Sequence, residues 1–185
     1  MIRLLTVITL VFAGMAHGAE FSAVQLNKSS ISFVAKQMNV PVEGAFRKFS
    51  AQVSFDPARP EAGRAQVEIE LASIDAGSID ADDEVKGKSW FNVREFPKAS
   101  FVSSSVKALG GGRFEASGKM TIKGKTLDVR APFSIKQDKG MLSVDGVFPL
   151  KRLDYGIGTG IWSDTSTVAD EVQIKFHFTI SPTRK

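Results

Sequence analysis

Apolar and polar side chains alternate with a period of two along most of this chain. Ala65, Val67, Ile69 and Leu71 share one face, with Gln66, Glu68 and Glu70 between them. The same rhythm runs through residues 114–122, 127–135, 142–150 and 172–180. Successive side chains of a strand point to opposite faces, so the pattern describes antiparallel sheet with one dry and one wet side. Turn residues separate the runs at hairpin spacing, at Asn27-Lys28, Asp56-Pro57, Gly110-Gly111-Gly112, Lys123-Gly124 and Asp138-Lys139-Gly140. The spacing predicts about eight strands in one domain, without a βαβ rhythm or an internal repeat. A sheet of that extent must protect its edges, either by closing into a barrel or by stacking as two sheets.

The beginning of the chain has a different character. Arg3 precedes an apolar run over 4–13 and small residues around Ala16-His17-Gly18-Ala19. That order describes an export signal over 1–19, cleaved near Gly18 or Ala19, and the run is short for a membrane span. Residues 20–185 then form one domain, expected in the periplasm. There is no cysteine, so a core rather than disulfides must hold an exported domain, and thiol chemistry is excluded. Lys and Arg exceed Asp and Glu by only 24 to 20 and are scattered. No basic cluster suggests a nucleic-acid groove.

Residues that carry chemistry are sparse. Only His17 and His177 are present, so zinc and copper lack their usual ligands and no metal site is expected. His177 falls on the polar side of the last strand. Gly124-Lys125-Thr126 resembles the end of a phosphate loop, but the upstream glycine position is Lys119 and the flanks are strands. Gly156-Ile157-Gly158-Thr159-Gly160 has no βαβ unit around it. Ser104 and Lys107 lie three apart on a strand and face opposite sides. No nucleophile–base pair can be drawn, so neither catalysis nor a catalytic cofactor is expected.

The alternation breaks in mid-chain. Asp80, Asp82, Asp83 and Glu84 precede Lys86 and Lys88, with Gly87 as a terminator, an order that suits the dipole of one short helix. Trp90-Phe91-Asn92-Val93 and Phe96-Pro97-Lys98-Ala99-Ser100-Phe101 follow, too aromatic for a solvated loop. These blocks, with Ser73-Ile74-Asp75 before them, resemble the YceI-like family of periplasmic polyisoprenoid-binding proteins. Val42-Glu43-Gly44-Ala45-Phe46, Gly118-Lys119-Met120-Thr121 and Arg152-Leu153-Asp154-Tyr155-Gly156 extend the resemblance in family order. It implies an all-β, lipocalin-like antiparallel barrel of eight strands, with the helix capping one end. The stretch Trp162-Ser163-Asp164-Thr165-Ser166 is similar to members that accompany membrane b-type cytochromes. That similarity implies a quinone as a ligand and such a cytochrome as a partner. The chain departs from many relatives at Lys36-Gln37-Met38, where they carry histidine, and at Ala81-Asp82-Asp83-Glu84, where they carry an Arg-Asp pair.

The inward face mixes phenylalanine with Ala51, Ala65, Ala116, Gly118, Ala131 and Gly146. A barrel of eight strands either fills with its own side chains or holds a slender ligand. Composition leaves the two open, and the resemblance favours a tunnel for a polyprenyl lipid or isoprenoid quinone. The ligand-binding residues expected on that basis are Phe33, Phe49, Trp90, Phe91, Phe101, Ala116, Gly118, Gly146, Phe148, Tyr155 and Trp162. Enlarging Gly118 or Gly146 should then block the ligand and spare the fold. A solid barrel that docks on a membrane cytochrome or envelope complex is the rival reading. Transient membrane contact goes with the carrier, and an unpaired strand or open mouth would support a homodimer.

Overall fold

The computed structural model describes residues 20–183; the expected export signal lies outside them. The described residues form eleven strands and one α-helix. β1 (Phe21–Val24), β2 (Ser30–Gln37), β3 (Val40–Phe46) and β4 (Phe49–Ser54) open the chain. β5 (Arg64–Glu70), β6 (Ile74–Asp75) and the helix α1 (Ile79–Lys86) follow. β7 (Lys98–Gly110), β8 (Arg113–Ile122), β9 (Lys125–Asp138), β10 (Met141–Lys151) and β11 (Glu171–Pro182) complete it. All named pairings are antiparallel. The sheet runs β4-β5-β7-β8-β9-β10-β11-β2-β3-β6, with β1 beside β11.

The antiparallel class and the single helix agree with the sequence pattern. The strand number differs, eleven against about eight expected, and β1 and β6, too short to show a period, account for two of the additional strands. The wall does not close by pairing its two outer long strands. β1 completes it at one end, pairing with β11 and exchanging backbone hydrogen bonds with the end of β4, Phe21 N–H to Phe55 O at 2.9 Å and Phe55 N–H to Phe21 O at 3.0 Å. Phe21, Leu142 and Ile180 are fully buried there and plug that end.

Local chemistry sets most turns. Lys123-Gly124 and Lys139-Gly140 both have positive φ at their two central residues, the hairpin geometry whose twist matches the strands. Met38-Asn39 does the same between β2 and β3 without any glycine to announce it. Ser78 caps α1, its Oγ accepting the Ala81 N–H at 3.2 Å. Asp80 and Asp82 fall in the first turn and Lys86 in the last. On β7 the register shifts between Ser103 and Ser105, and the buried Ser103 hydroxyl accepts the Ala65 N–H at 2.8 Å.

The inward glycines are not empty. Phe33 is opposite Gly44 and Phe176 is opposite Gly146, and in each pair the ring lies against the glycine Cα. Phe101 covers Gly118 in the same way, so that a Cβ there would stand 2.7 Å from the ring edge. A Cβ at Gly146 would also meet the Pro132 carbonyl at 2.7 Å. The expectation that Gly118 or Gly146 can be enlarged at little cost is therefore overturned. The space they leave belongs to phenyl rings of neighbouring strands. Gly146→Leu should lower stability by about 1–3 kcal/mol through overpacking, or roughly 2–12 °C in melting temperature for a domain of this size. Pairing it with Phe176→Leu should recover part of that loss, so the double variant is less destabilised than the sum of the singles. Strict additivity would show that ring and glycine do not share the space.

Candidate functional site

The wall encloses an apolar lumen in two compartments. The narrow one, about 130 Å³, is lined by Phe55, Val67, Phe101, Ala116, Ala131, Phe133, Phe148 and Phe176 among others. The wide one, about 470 Å³, is lined by Phe33, Phe46, Leu71, Trp90, Phe91, Leu150 and Trp162, with α1 across it through Ala81 and Val85. Ile31, Ile69, Met120 and Ile174 line both, so they form a waist between connected spaces. The wide volume falls in the range that holds small-molecule ligands. The narrow one is close to engineered apolar cavities that stay dry. Gln37, Asp80 and Glu84 are exposed and also line the wide compartment, which marks the mouth.

One buried cation organises the wall beside that mouth. Arg152 is 2 % exposed. Its Nε donates to Ala169 O at 3.0 Å, Nη1 to Ile157 O and Gly158 O at 2.9 Å each, and Nη2 to Trp162 O and Val168 O at 2.7 Å each. All five N–H groups of the fork are used. The guanidinium also lies 5.6 Å from the Trp90 ring centre. Burial pulls its pKa down, and the carboxylate of Asp170 opposes that shift. Gly158 has φ +73°, and a side chain on it would meet Trp90 at 3.2 Å and crowd the guanidinium. The glycine-rich stretch after Arg152 is thus a loop folded around a cation. Trp90 lies 5.5 Å from Trp162 and donates its indole N–H to Glu84 Oε1 at 3.2 Å.

The residues expected at the site fall in several places. Phe33, Trp90, Phe91 and Trp162 line the wide compartment. Phe101, Ala116 and Phe148 line the narrow one. Phe49 packs against Phe178 in the surrounding core, at 6.0 Å between ring centres, and lines neither compartment. Gly118 and Gly146 face inward but lie under rings. Tyr155 is 2 % exposed in the cluster around Leu71 and Trp90, its hydroxyl without a partner, and it lines neither compartment. Sequence reasoning missed the waist, Phe176, the buried role of Arg152 and the cavity-facing position of Asp80 and Glu84. The waist residues and Phe176 sit on inward positions of alternating strands, a signal that marks the face but not the depth. Nothing local distinguishes Arg152 or Glu84 from surface charges.

The fold and lumen define a class: an antiparallel β-sheet curled into a half-barrel around an elongated apolar cavity. The chain belongs to the YceI-like family, whose domain profile matches residues 23–180. Its structure is similar to that of Burkholderia cenocepacia BcnA, with 52 % identity and a TM-score of 0.82 over 84 % of this chain and 98 % of that one. It shares its fold with a polyisoprenoid binding domain from Saccharophagus degradans implicated in plant cell wall breakdown. There the TM-score is 0.66 at 14 % identity, over 90 % of this chain and all of that one. A UPF0312 protein of Shewanella oneidensis is 32 % identical over 118 residues, 62 % of each chain. A second, from Azotobacter vinelandii, is 35 % identical over 86 residues, 46 % of this chain and 45 % of that protein. The matched stretch thus spans about half to two thirds of these curated relatives.

Two outcomes follow from the buried polar groups. Burial first, and then the neighbouring Asp154 carboxylate, push the Tyr155 phenol up to about 12. It is the single tyrosine of the chain, so phenolate absorbance reads it alone. The folded protein should titrate near 12 and the unfolded chain near about 10. Because the folded value is the raised one, its stabilisation is full below the unfolded value and is lost as pH rises through the folded one. An ordinary midpoint in the folded protein would contradict the burial. Arg152→Lys keeps the charge but offers three donors to five carbonyls. It should cost roughly 2 kcal/mol or more, read as a lower denaturant midpoint.

Proposed function

We propose that this chain is a non-catalytic binding and carrier protein for a long-chain isoprenoid lipid, a polyprenyl lipid or an isoprenoid quinone. It would act in the periplasm after removal of residues 1–19. The observation that carries the reading is the lumen itself, apolar throughout its depth and joined through the waist of Ile31, Ile69, Met120 and Ile174. The shared fold of the Saccharophagus polyisoprenoid binding domain supports it. Leaving water gives an apolar chain about 0.8 kcal/mol per CH₂. A tail of roughly forty carbons would gain roughly 30 kcal/mol, beyond the practical ceiling of about 18–21 kcal/mol for affinity. A bilayer is as apolar as the lumen, so between the two the tail terms nearly cancel. A carrier can then hold its lipid in water and still release it to a membrane.

The mouth supports that exchange. Met38, Val40, Ile79 and Ile161 are large, apolar and exposed. Val40 and Met38 lie at the tip that bears Gln37, and the Met38 N–H donates to Thr167 O at 2.8 Å. Ile79 sits beside the lining residue Asp80, and Ile161 beside Trp162. An apolar rim at the opening suits transient contact with a membrane surface or with a membrane cytochrome. The same rim is what a docking module would carry, and the lumen beneath it favours the carrier.

Protein purified without detergent, extracted with organic solvent and analysed by mass spectrometry should contain near-stoichiometric prenyl lipid. No such lipid, and no uptake on incubation with one, would overturn the reading. Ala116→Leu separates tunnel from packed core, because Ala116 lines the narrow compartment and its cross-strand partners are Val106 and Ala131 rather than aromatic rings. It should lower lipid content while the lipid-free melting temperature stays within roughly 1 °C of the parent. In a filled core the same change would cost about 1–3 kcal/mol.

A further inference from the structure

The exposed charges that line the opening of the wide compartment are carboxylates. Asp80 and Glu84 stand one turn apart on α1 and both line the wide compartment at its opening. Glu84 accepts one hydrogen bond, from the Trp90 indole, and neither carboxylate has an ion-pair partner among the described residues. The only cation lining the compartment is Arg152, whose five donors are all held by backbone carbonyls. Lys86, on the same helix, is committed to Asp83 at 3.8 Å. The helix start offers an anion little, since Ser78 Oγ takes the Ala81 N–H and Ser78 O takes the Asp82 N–H. A phosphate or carboxylate brought here would meet two negative groups and, among the residues lining the compartment, no free cationic donor. A hydroxyl or protonated amine would meet two acceptors.

We infer that Asp80 and Glu84 make the mouth a charge filter. It admits isoprenoid lipids whose head donates hydrogen bonds and carries no negative charge, such as a prenyl alcohol, phenol, quinol or amine. It rejects the phosphorylated forms of the same tails. The inference rests on the lipid-binding reading of the lumen and adds which head groups that lumen accepts. Like charges at the surface repel within a Debye length and are screened by salt, so the discrimination depends on ionic strength.

Three probes with one tail test it: geranylgeraniol, geranylgeranylamine and geranylgeranyl phosphate. The chain's two tryptophans both line the wide compartment, so intrinsic fluorescence reports binding of each. At low salt the alcohol and amine should bind about tenfold or more tighter than the phosphate, and added salt should narrow the gap. Asp80→Asn with Glu84→Gln should bring the phosphate within about threefold of the alcohol. Glutamine at 84 can still accept the Trp90 N–H, and an unchanged melting temperature confirms that the helix stays in place. Equal binding of all three by the parent, or a gap unaltered in the double variant, overturns the filter and leaves the lipid reading standing. Binding of none overturns both.

Discussion

A broad antiparallel sheet with one apolar face and a single eight-residue helix has little besides itself to pack against. That constraint shapes the protein. The helix covers only one end of the apolar face, so the face must be buried by curling the sheet until its inner side chains meet. Phe33, Phe101 and Phe176 allow the wall to bend inward because each has a glycine, rather than a side chain, to lie on. Phe21 then seals one end by joining β1 to both β11 and the end of β4. What the curled sheet cannot fill becomes the lumen. The cavity is thus a product of the packing problem, tapering from the helix end to the plugged end.

The open end is held differently. Arg152 satisfies five carbonyls of one loop and faces Trp90, which in turn reaches Trp162 and Glu84. A buried cation without a paired carboxylate is costly unless every donor is met. Here the backbone meets them all, and the loop after β10 takes its shape from doing so. That loop gives the wide compartment a fixed wall. The helix opposite is tied to it through Glu84 and Trp90, so lid and wall form one unit around the mouth. The opening thus combines acidic and aromatic edges, while the interior beneath it is apolar.

Membership in the YceI-like family is consistent with this division between a permissive interior and a particular mouth. The helix that bears Asp80 and Glu84 lies at that mouth rather than in the wall. Asp80 and Glu84 lie on α1, outside every strand pairing, so a change at either leaves the sheet register untouched.

The alternating strands, the one helix with its Ser78 and Gly87 boundaries, and the Lys123-Gly124 and Lys139-Gly140 turns were determined by the sequence itself. Each depends on residues within a few positions of one another, and period, capping and turn chemistry are local. Alternation alone also places Ala116 and Phe148 on the inward face, whereas Phe33 and Phe101 are expected at the site through the family resemblance. Depth along that face was decided only in three dimensions. Phe49 and Ala116 carry the same alternation signal, yet one lies in the surrounding core and the other lines the lumen. Register across strands separates them, as it sets a phenyl ring over Gly146 where an empty space was expected. The tertiary structure also decided the roles of β1, β6, Arg152, Asp80 and Glu84. Strands of two or four residues show no usable period, and a charge declares itself buried or cavity-facing only through neighbours far away in the chain.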